Sequence, residues 1–484
     1  MNALPGNGGA PRAVDRRMPT LALLSLLQFL IALDVTVVNV ALPSIGAEFG
    51  APTDSLSWVV TGYTLVGGGL LLLGGRVTDL LGRRRMFLLG AALFAVASLV
   101  AGAAPDLPTL IGARFAQGAG EALASPAAMS LIALLFPEPA ERAKALGIWG
   151  AISVGGLVAG VLLSGVITEL LHWRWIFGVN VPITLAVLLL APRLVPADGP
   201  RGRTGPLDLP GAALLTAGPL CFVFGIVESV PTAVAAGAVL LAAFVVVEAR
   251  TRHPLVPLAF FTHRVRAVAN GVTVLLSAAL STAFFLLTLY LQDVIGFGPP
   301  AAGLAFLPFC AALFLAVSQV SRLIGAIGVT YTATLGLVLT AAGLAWLARL
   351  PDRGTYAVDV LPGMVGVAAG MGIGLIALQN AALHGVTADD AGVASGVQRS
   401  VDQLGGSLGL AVLVGIATDV TGVAGFRTAF LYALAGVVAA AVVLPFIAPR
   451  DRKPGGGTAP EGTPSEETPG EPVAGARESE GGKG

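Results

Sequence analysis

The sequence predicts an all-α membrane protein whose chain crosses the bilayer many times. Hydrophobic residues make up 55% of its 484 residues, charged residues make up only 12%, and the mean hydropathy is +0.85. A typical soluble domain carries roughly 25% charged residues, so most of this apolar surface must face lipid. The apolar residues also fall into separate runs of about 18–26 residues, the length that a membrane helix requires.

Fourteen such runs follow one another along the chain. The first is too long for a cleaved signal peptide and lacks a small-residue cleavage site, so we expect it to remain as helix 1. The predicted helices, numbered 1 to 14, span 20–43, 57–76, 86–104, 109–134, 145–168, 175–192, 210–228, 231–248, 268–291, 301–320, 328–348, 358–382, 395–417 and 428–447.

An even number of helices places both termini on one side of the membrane, and the arginines indicate which side. The loops after helices 1, 3, 7 and 9 contain no lysine or arginine, and Arg349, Arg353 and Arg427 are exceptions on that side. By the positive-inside rule, both termini are predicted to be cytoplasmic. The excess of arginine over lysine is typical of a GC-rich bacterial gene, so the membrane is expected to be the bacterial cytoplasmic membrane. The arginines of the opposite loops are Arg12, Arg16, Arg17, Arg76, Arg83, Arg84, Arg85, Arg142, Arg193, Arg201, Arg203, Arg250, Arg252, Arg264 and Arg266.

Several function classes are disfavoured by what the sequence lacks. The formal net charge is zero, which argues against a nucleic-acid partner. No lysine lies in a G-x-x-x-x-G-K-[ST] phosphate-binding loop, so no ATP site is expected and the energy must come from an ion gradient or a partner. The histidines stand alone near predicted helix ends, without a second ligand at metal spacing, so neither a metal nor another cofactor is expected. They are His172, His253, His263 and His384.

The short loop after helix 2 carries the most specific motif. It reads "GGRVTDLLGRRRMFLLG", a G-x-x-x-D-x-x-G-R-R-R pattern. Arginines that anchor a cytoplasmic turn are expected there, but an anchor does not explain the preceding acid. The residues of the motif are Gly75, Asp79, Gly82, Arg83 and Arg84.

This motif resembles the signature loop of the major facilitator superfamily, and fourteen helices are similar to its drug:proton antiporter branch of EmrB/QacA type. Further segments resemble that branch: "LDVTVVNVALP" in helix 1, "RFAQGAGEALASPAA" in helix 4, "WRWIFGVNVP" at helix 6 and "AGVASGVQRSVDQLGGSLG" at helix 13. The resemblance covers about residues 20 to 447. It implies two six-helix bundles with two inserted helices, and a cytoplasmic gate that Asp79 locks near the start of helix 13 in the outward-open state.

Helix 5 departs from the pattern of the family's exporters, G-x-x-x-G-P-x-x-G-G. Gly156, Gly160 and Gly165 preserve a small-residue face for helix packing, but Val161 replaces the proline and Ser164 replaces a glycine. The departure weakens the inference that transport is outward.

The resemblance divides the chain into five parts. The two six-helix bundles are related as repeats about an axis along the membrane normal. The terminal segments are rich in Gly, Pro and polar residues and are predicted to be disordered. The parts are a disordered segment 1–18, an N-terminal bundle 19–192, a linker with helices 7 and 8 at 193–266, a C-terminal bundle 267–448 and a disordered tail 449–484.

Three ionisable residues are expected at similar depth inside the N-terminal bundle. Asp34 lies well inside helix 1, and Arg114 and Glu121 are spaced i,i+7 on one face of helix 4. An ionised side chain at such a depth costs roughly 2.5–3.5 kcal/mol even on the translocon scale. One arginine cannot compensate two buried acids, so at least one acid is predicted to take up a proton near neutral pH. Asp34 is the first candidate for proton coupling, Glu121 the second, and a permanent Asp34–Arg114 ion pair that only joins two helices is the alternative.

Helix 13 offers one further charged pair, Arg399 and Asp402, spaced i,i+3 on one helical face. The two side chains are expected to contact each other. They either neutralise each other permanently within the bundle or form a pair that breaks during transport.

The sequence thus predicts a secondary active transporter that exports lipophilic drugs or secondary metabolites in exchange for protons, by alternating access around a midplane cavity. Its partners are the lipid bilayer, the substrate and protons. Uptake or proton-independent transport of a small metabolite is the alternative, and a membrane-embedded enzyme or receptor is a weaker one because no loop could hold a catalytic domain. Candidate cavity residues, for which packing is the alternative role, are Asn39, Gln117, Phe284, Phe285, Tyr290 and Gln379.

Overall fold

The computed structural model describes residues 16–198, 207–383, 391–418 and 420–447, all of which lie in one compact unit, Met1–Arg450. A second unit, Asp451–Gly484, lies outside the described residues. Arg12, Arg201, Arg203 and His384 are also outside them, as are nearly all of the predicted disordered segment 1–18 and the whole of the predicted tail 449–484.

Within the described ranges, fourteen helices are long and apolar enough to cross a membrane, which confirms the predicted number and order. Most of them extend beyond the apolar runs of the sequence because helical hydrogen bonds continue into flanking polar residues. In chain order they are α1 Arg17–Phe49, α2 Thr53–Leu81, α3 Arg83–Gly102, α4 Leu107–Leu135, α5 Pro139–Leu170, α6 Trp175–Leu194, α7 Leu209–Val227, α8 Pro231–Arg250, α9 Arg264–Val294, α10 Pro299–Ile327, α11 Val329–Leu347, α12 Tyr356–Ala382, α13 Ala391–Thr418 and α14 Val423–Ile447.

Contacts between helix ends define two faces of the bundle. The start of α1 meets the end of α6, where the Thr20 hydroxyl donates to the carbonyl of Leu194 at 2.9 Å. At the opposite end, Arg174 pairs with Glu48 of α1 and donates to the carbonyl of Ala104, just after α3, at 2.9 Å. We name the first end, which contains Thr20 and Leu194, the terminal face and the second, which contains Glu48 and Arg174, the distal face.

The helices pack as two six-helix bundles, α1–α6 and α9–α14, joined by α7 and α8, which confirms the predicted fold class. Helices α7 and α8 pack on each other, and α7 also contacts α2 of the first bundle and α13 of the second. The domain boundaries given above stay a prediction.

Small residues of α5 allow the first bundle to pack closely. A Cβ atom on Gly156 would lie 2.3 Å from the carbonyl oxygen of Phe29, and one on Gly160 would lie 2.2 Å from the hydroxyl of Thr36. Ser164, which replaces a glycine of the family pattern, donates a hydrogen bond to the carbonyl of Val37. With Val161 in place of proline, α5 is one unbroken helix.

The two bundles touch at the distal face and part at the terminal face along α5 and α10. A Cβ atom on Gly165 would lie 2.6 Å from the carbonyl oxygen of Pro299, near the distal face. Nearer the terminal face, Cβ atoms on Gly147, Gly155 and Gly325 would meet no atom within 4 Å. Along α5 and α10 the bundles therefore make contact near the distal face and leave space near the terminal face.

Helices α2 and α13 stay in contact over a longer stretch. The Thr64 and Ser407 hydroxyls are hydrogen-bonded, Ser400 donates to the carbonyl of Gly68 at 2.6 Å, and Leu72 packs against Gly396. These contacts join the bundles from the middle of α2 and α13 toward the terminal face, while α5 and α10 part.

Gly160→Ala is expected to lower the free energy of unfolding by about 1–3 kcal/mol, because its methyl group would force α1 and α5 apart. The matched control is Gly155→Ala on the same helix, where the methyl group has open space and helix propensity favours alanine by roughly 0.5–1 kcal/mol. Thermal unfolding in detergent measures both. Equal melting temperatures for the two variants would contradict the close packing at Gly160.

Candidate functional site

Helix α4 carries three residues of the site, and its start is fixed by a capping residue. The Asp106 carboxylate accepts a hydrogen bond from the backbone N–H of Thr109 at 2.8 Å. This bond satisfies an N–H group that has no partner within the helix. The side chain of Thr109 and, second to it, this backbone N–H lower the pKa of Asp106. Arg114, Gln117 and Glu121 follow at intervals that place them along one side of the helix.

Asp34 is fully buried and lies among groups from three other helices. Its carboxylate accepts hydrogen bonds from Arg114, from Gln117 Nε2 at 3.2 Å and from Asn180 Nδ2 at 2.7 Å. The Ser98 hydroxyl accepts from the same Gln117 nitrogen at 2.9 Å. A buried charge is tolerated when it is paired and hydrogen-bonded, and Asp34 meets both conditions.

Arg114 is also enclosed, with only 1% of its surface exposed. Besides Asp34, it donates from Nε to the carbonyl of Val59 at 2.8 Å and from Nη1 to Gln117 Oε1 at 2.8 Å. Its guanidinium carbon lies 4.4 Å from the ring centroid of Tyr63, within the range of a cation–π contact. The Asp34–Arg114 pair therefore joins α1, α2 and α4 and has no opening to water.

Glu121 lies two turns further along α4 and has different partners. Its Oε1 accepts a hydrogen bond from Gln403 Nε2 at 3.0 Å and lies 3.7 Å from the Arg399 guanidinium, both on α13 of the other bundle. Glu121 is 1% exposed, whereas the Arg399 side chain is 50% exposed. The structure thus brings Asp34 and Arg114 together but directs Glu121 to the contact between the two bundles.

Arg399 and Asp402 do not form the expected pair with each other. Arg399 faces Glu121, and the Asp402 carboxylate instead accepts a hydrogen bond from the Ser277 hydroxyl on α9. A permanent pair between Arg399 and Asp402 is therefore wrong for this conformation, whereas a pair that breaks during transport stays a prediction. Their spacing placed them on one face of α13, but each finds its partner on a neighbouring helix.

The motif after α2 forms a tight turn around Asp198. Gly82 has φ +108°, and a Cβ atom there would lie 2.3 Å from the Asp198 carboxylate. That carboxylate accepts from the backbone N–H groups of Arg84 at 2.9 Å and Arg85 at 3.3 Å, and so caps the start of α3. Only glycine fits both the backbone conformation and the space.

Of the other residues of this motif, Asp79 is exposed and the rest are half-buried. Asp79 lies 3.8 Å from Arg83, and Arg84 donates to the carbonyl of Pro192 at 2.9 Å. Gly75 lies beside Pro126 of α4. The expected approach of Asp79 to the start of helix 13 concerned the outward-open state and stays a prediction.

The candidate cavity residues are spread over several environments. Asn39 donates to the carbonyl of Val35 on its own helix, and Gln117 belongs to the Asp34 cluster. Phe284 stacks on Phe306 with ring centroids 4.4 Å apart. Phe285 and Tyr290 are fully buried in the large apolar core, and Gln379 is exposed near the terminal face. Their assignment as substrate contacts stays a prediction.

A cavity of about 600 Å³ lies between α10 and α12 and has an almost wholly apolar lining. A volume of this size suits a small organic molecule, since ligand pockets measure about 300–1,000 Å³. Gln319 and Arg322 are its polar residues, and Arg322 donates to Gln319 Oε1 at 3.0 Å. Among the described residues, no cluster of three or more His, Cys, Asp or Glu side chains is arranged to hold a metal ion.

Two helical bundles that part on one face around buried charges are the architecture of a secondary transporter. The family model of the Major Facilitator Superfamily matches residues 24–410, and the chain belongs to this superfamily. Its fourteen helices place it in the drug-efflux branch. It is a secondary transporter that exports drugs or metabolites, and it is not an enzyme.

Similar proteins include two antibiotic-resistance proteins. The "Lincomycin resistance protein" of Streptomyces lincolnensis is 54% identical over 411 residues, which cover 83% of this chain and 84% of that protein. The "Puromycin resistance protein pur8" of Streptomyces alboniger is 41% identical over 437 residues, which cover 87% and 86%. Among solved structures, the nucleoside transporter NupG has a TM-score of 0.65 at 11% identity, covering 89% of this chain and 99% of that one, and this likeness shows the fold alone.

Sequence reasoning missed Tyr63, Ser98, Asn180, Gln403 and Asp198. Asn180 lies in the segment "WRWIFGVNVP" and Gln403 in "SVDQLGG", both of which carried the resemblance. Neutral polar side chains inside apolar runs were the available signal, because such groups are buried only when they find partners. Nothing in the sequence paired Gln403 with Glu121 across the two bundles.

Arg114→Met is expected to destabilise the protein by about 3–5 kcal/mol, because it leaves the Asp34 carboxylate buried without a counter-charge. Adding Asp34→Asn should recover most of this loss, since the second change removes the orphaned charge. Melting temperatures of the single and double variants measure the effect. Arg17→Met is the control, because the exposed Arg17–Glu141 pair contributes only about 0–1 kcal/mol. A double variant no more stable than Arg114→Met would contradict the pairing.

Proposed function

We propose that the protein exports lipophilic compounds across the bacterial cytoplasmic membrane in exchange for protons. The observation that carries the proposal is Glu121, a buried acid at the contact between the two bundles. One carboxylate oxygen of Glu121 has two partners on the opposite bundle, and the other oxygen has no hydrogen-bond partner. A buried acid in this position is favoured to bind a proton in one state of the cycle and release it in another.

The two acids have different proposed roles. Asp34 accepts three hydrogen bonds, one of them from its ion-pair partner Arg114, so its carboxylate is fully partnered in this conformation. Glu121 has an unsatisfied oxygen, and its partners belong to the bundle that moves relative to it. We call this conformation, in which α5 and α10 part near the terminal face, the terminal-open state. We therefore assign proton exchange in this state to Glu121. Asp34 exchanges a proton only in a state that separates it from Arg114.

The terminal face is proposed to be cytoplasmic. The loops of that face are rich in arginine, including those around Arg84 and Arg250, and arginine-rich loops stay on the cytoplasmic side. Arg427, one of the three exceptions, pairs with Asp352 at 2.9 Å and also donates to the carbonyl of Leu350. Its charge is therefore compensated on the distal face. In this orientation the structure is open to the cytoplasm, the side from which an exporter takes its substrate.

The substrate is proposed to be an antibiotic or a similar lipophilic metabolite. The lincomycin and puromycin resistance proteins support this class, as does the apolar lining of the cavity between α10 and α12. Strains that express or lack the transporter would be tested against a panel of antibiotics and dyes. No cofactor, ATP or nucleic acid takes part in the proposed cycle, because the proton gradient supplies the energy.

Exchange requires that substrate and proton compete. Glu121 faces α13, and Arg399 beside it is half exposed. When substrate enters between the bundles, a cationic or hydrogen-bond-donating group of the substrate can pair with the Glu121 carboxylate. This pairing favours the ionised form of Glu121 and therefore the release of its proton. When substrate leaves, reprotonation removes the buried charge and lowers the cost of closing the opening.

Substrate-induced proton release from the purified transporter tests this proposal. Release is expected in the wild-type protein and should fall below a tenth in Glu121→Gln, because the amide cannot carry the proton. Asp34→Asn should reduce release less when the substrate is added to the terminal-open form. Unchanged release in both variants would contradict the proposed coupling by either acid.

A further inference from the structure

At the contact between the bundles, Gln403 and Glu121 each have one side-chain oxygen without a hydrogen-bond partner. Gln403 Nε2 donates to Glu121 Oε1 at 3.0 Å. The other oxygens of the pair, Glu121 Oε2 and Gln403 Oε1, are both buried and both lack a hydrogen-bond partner. Leaving two buried acceptors unsatisfied is costly, because each has lost its hydrogen bonds to water without replacement.

The two unsatisfied oxygens lie on the same side of the existing hydrogen bond. A Cβ atom built on Gly67 of α2 would lie 3.3 Å from Gln403 Oε1 and 3.4 Å from Glu121 Oε2. Both oxygens are acceptors as long as Glu121 is ionised, so they cannot bond to each other. A proton on Glu121 Oε2 turns that oxygen into a donor, and Gln403 Oε1 is an unsatisfied acceptor on the same side.

We propose that Gln403 is the positioning residue that receives protonated Glu121 through two hydrogen bonds, so that one proton joins α4 to α13 across the two bundles. The amide N–H then bonds to Glu121 Oε1 and the new O–H bonds to Gln403 Oε1. The inference rests on the proposed role of Glu121 as a proton carrier. It adds Gln403, on the opposite bundle, as the residue that binds the protonated form of Glu121.

When Glu121 is ionised, it has Arg399 as a further partner, so the contact between α4 and α13 responds to protonation of Glu121. Arg399 Nη2 lies 3.7 Å from Glu121 Oε1, so its charge stabilises the carboxylate. On protonation, the ion pair is lost and the half-exposed Arg399 turns to the opening. Gln403 stays bound in both states, whereas Arg399 is bound in one.

Other ionisable groups surround Glu121, and one of them competes with Gln403. The hydroxyl of Tyr63 on α2 interacts with Glu121 but makes no hydrogen bond in this structure. Arg114 lies on the same face of α4, but it is committed to Asp34 of α1. Rotation of the Tyr63 hydroxyl toward Oε2 is therefore the alternative way to satisfy that oxygen.

The test uses infrared difference spectra of the purified full-length transporter between high and low pH. A carboxylic acid that loses a hydrogen bond from its O–H group shows a C=O stretch at higher frequency. The Glu121 band is assigned by its disappearance in Glu121→Gln. Gln403→Met is expected to move this band upward and to slow substrate-driven proton exchange about tenfold, which corresponds to one buried hydrogen bond.

The matched control is Gln398→Met, five residues earlier on α13. Gln398 is buried and Gln403 is half-buried, and the Gln398 amide donates to Thr273 of α9 in its own bundle at 3.0 Å. The Glu121 band should stay in place in this variant. Should Gln403→Met fail to assemble, Gln403→Asn replaces it, because the shorter amide cannot reach both oxygens and the same upward shift is expected.

Three results would overturn the inference. The first is the absence of a Glu121 acid band in the wild-type protein, and the second is an unchanged band frequency in the Gln403 variants. The third is an upward shift of the band in Tyr63→Phe with Gln403 left in place. The proposed function fails separately. A band that shifts as expected in a protein without proton exchange would support the acid–amide pair and refute antiport. Exchange that depends on Glu121 but not on Gln403 would support antiport and refute the pair.

Discussion

A charge held away from water must be compensated, and this constraint organises the centre of the protein. Asp34 and Arg114 satisfy it together, with Gln117 and Asn180 completing the hydrogen bonds of the carboxylate. The resulting cluster joins α1, α4 and α6 within the first bundle. Glu121 meets the same requirement only in part, and its partners lie across the contact with the second bundle.

The sequence predicted the fold because lipid imposes simple rules on it. Each helix needs an apolar run long enough to span the bilayer, and all fourteen runs could be read directly. Close packing at Gly156 and Gly160 could be anticipated from their spacing, because residues four apart share a helical face. The effect of Val161 and Ser164 could not be anticipated. Helix α5 is unbroken, and the serine adds a hydrogen bond to α1.

The candidate site was only partly predictable, for a geometric reason. Spacing along α4 placed Arg114 and Glu121 on one face, but periodicity does not reveal which neighbouring helix each side chain meets. Arg114 turns to α1, and Glu121 meets α13, more than 280 residues away in the chain. Likewise, Arg399 and Asp402 share a face of α13 yet bind groups on different helices. Partners across bundles depend on the conformation, which local sequence does not encode.

In the proposed cycle, the proton on Glu121 couples substrate movement to the gradient. Transport into proteoliposomes of uniform orientation, with and without an imposed pH gradient, tests this coupling in the wild-type protein and in Glu121→Gln. We expect Glu121→Gln to exchange labelled for unlabelled substrate at near wild-type rates but not to accumulate substrate against its gradient. Accumulation at the wild-type level by Glu121→Gln would show that Glu121 does not carry the coupling proton.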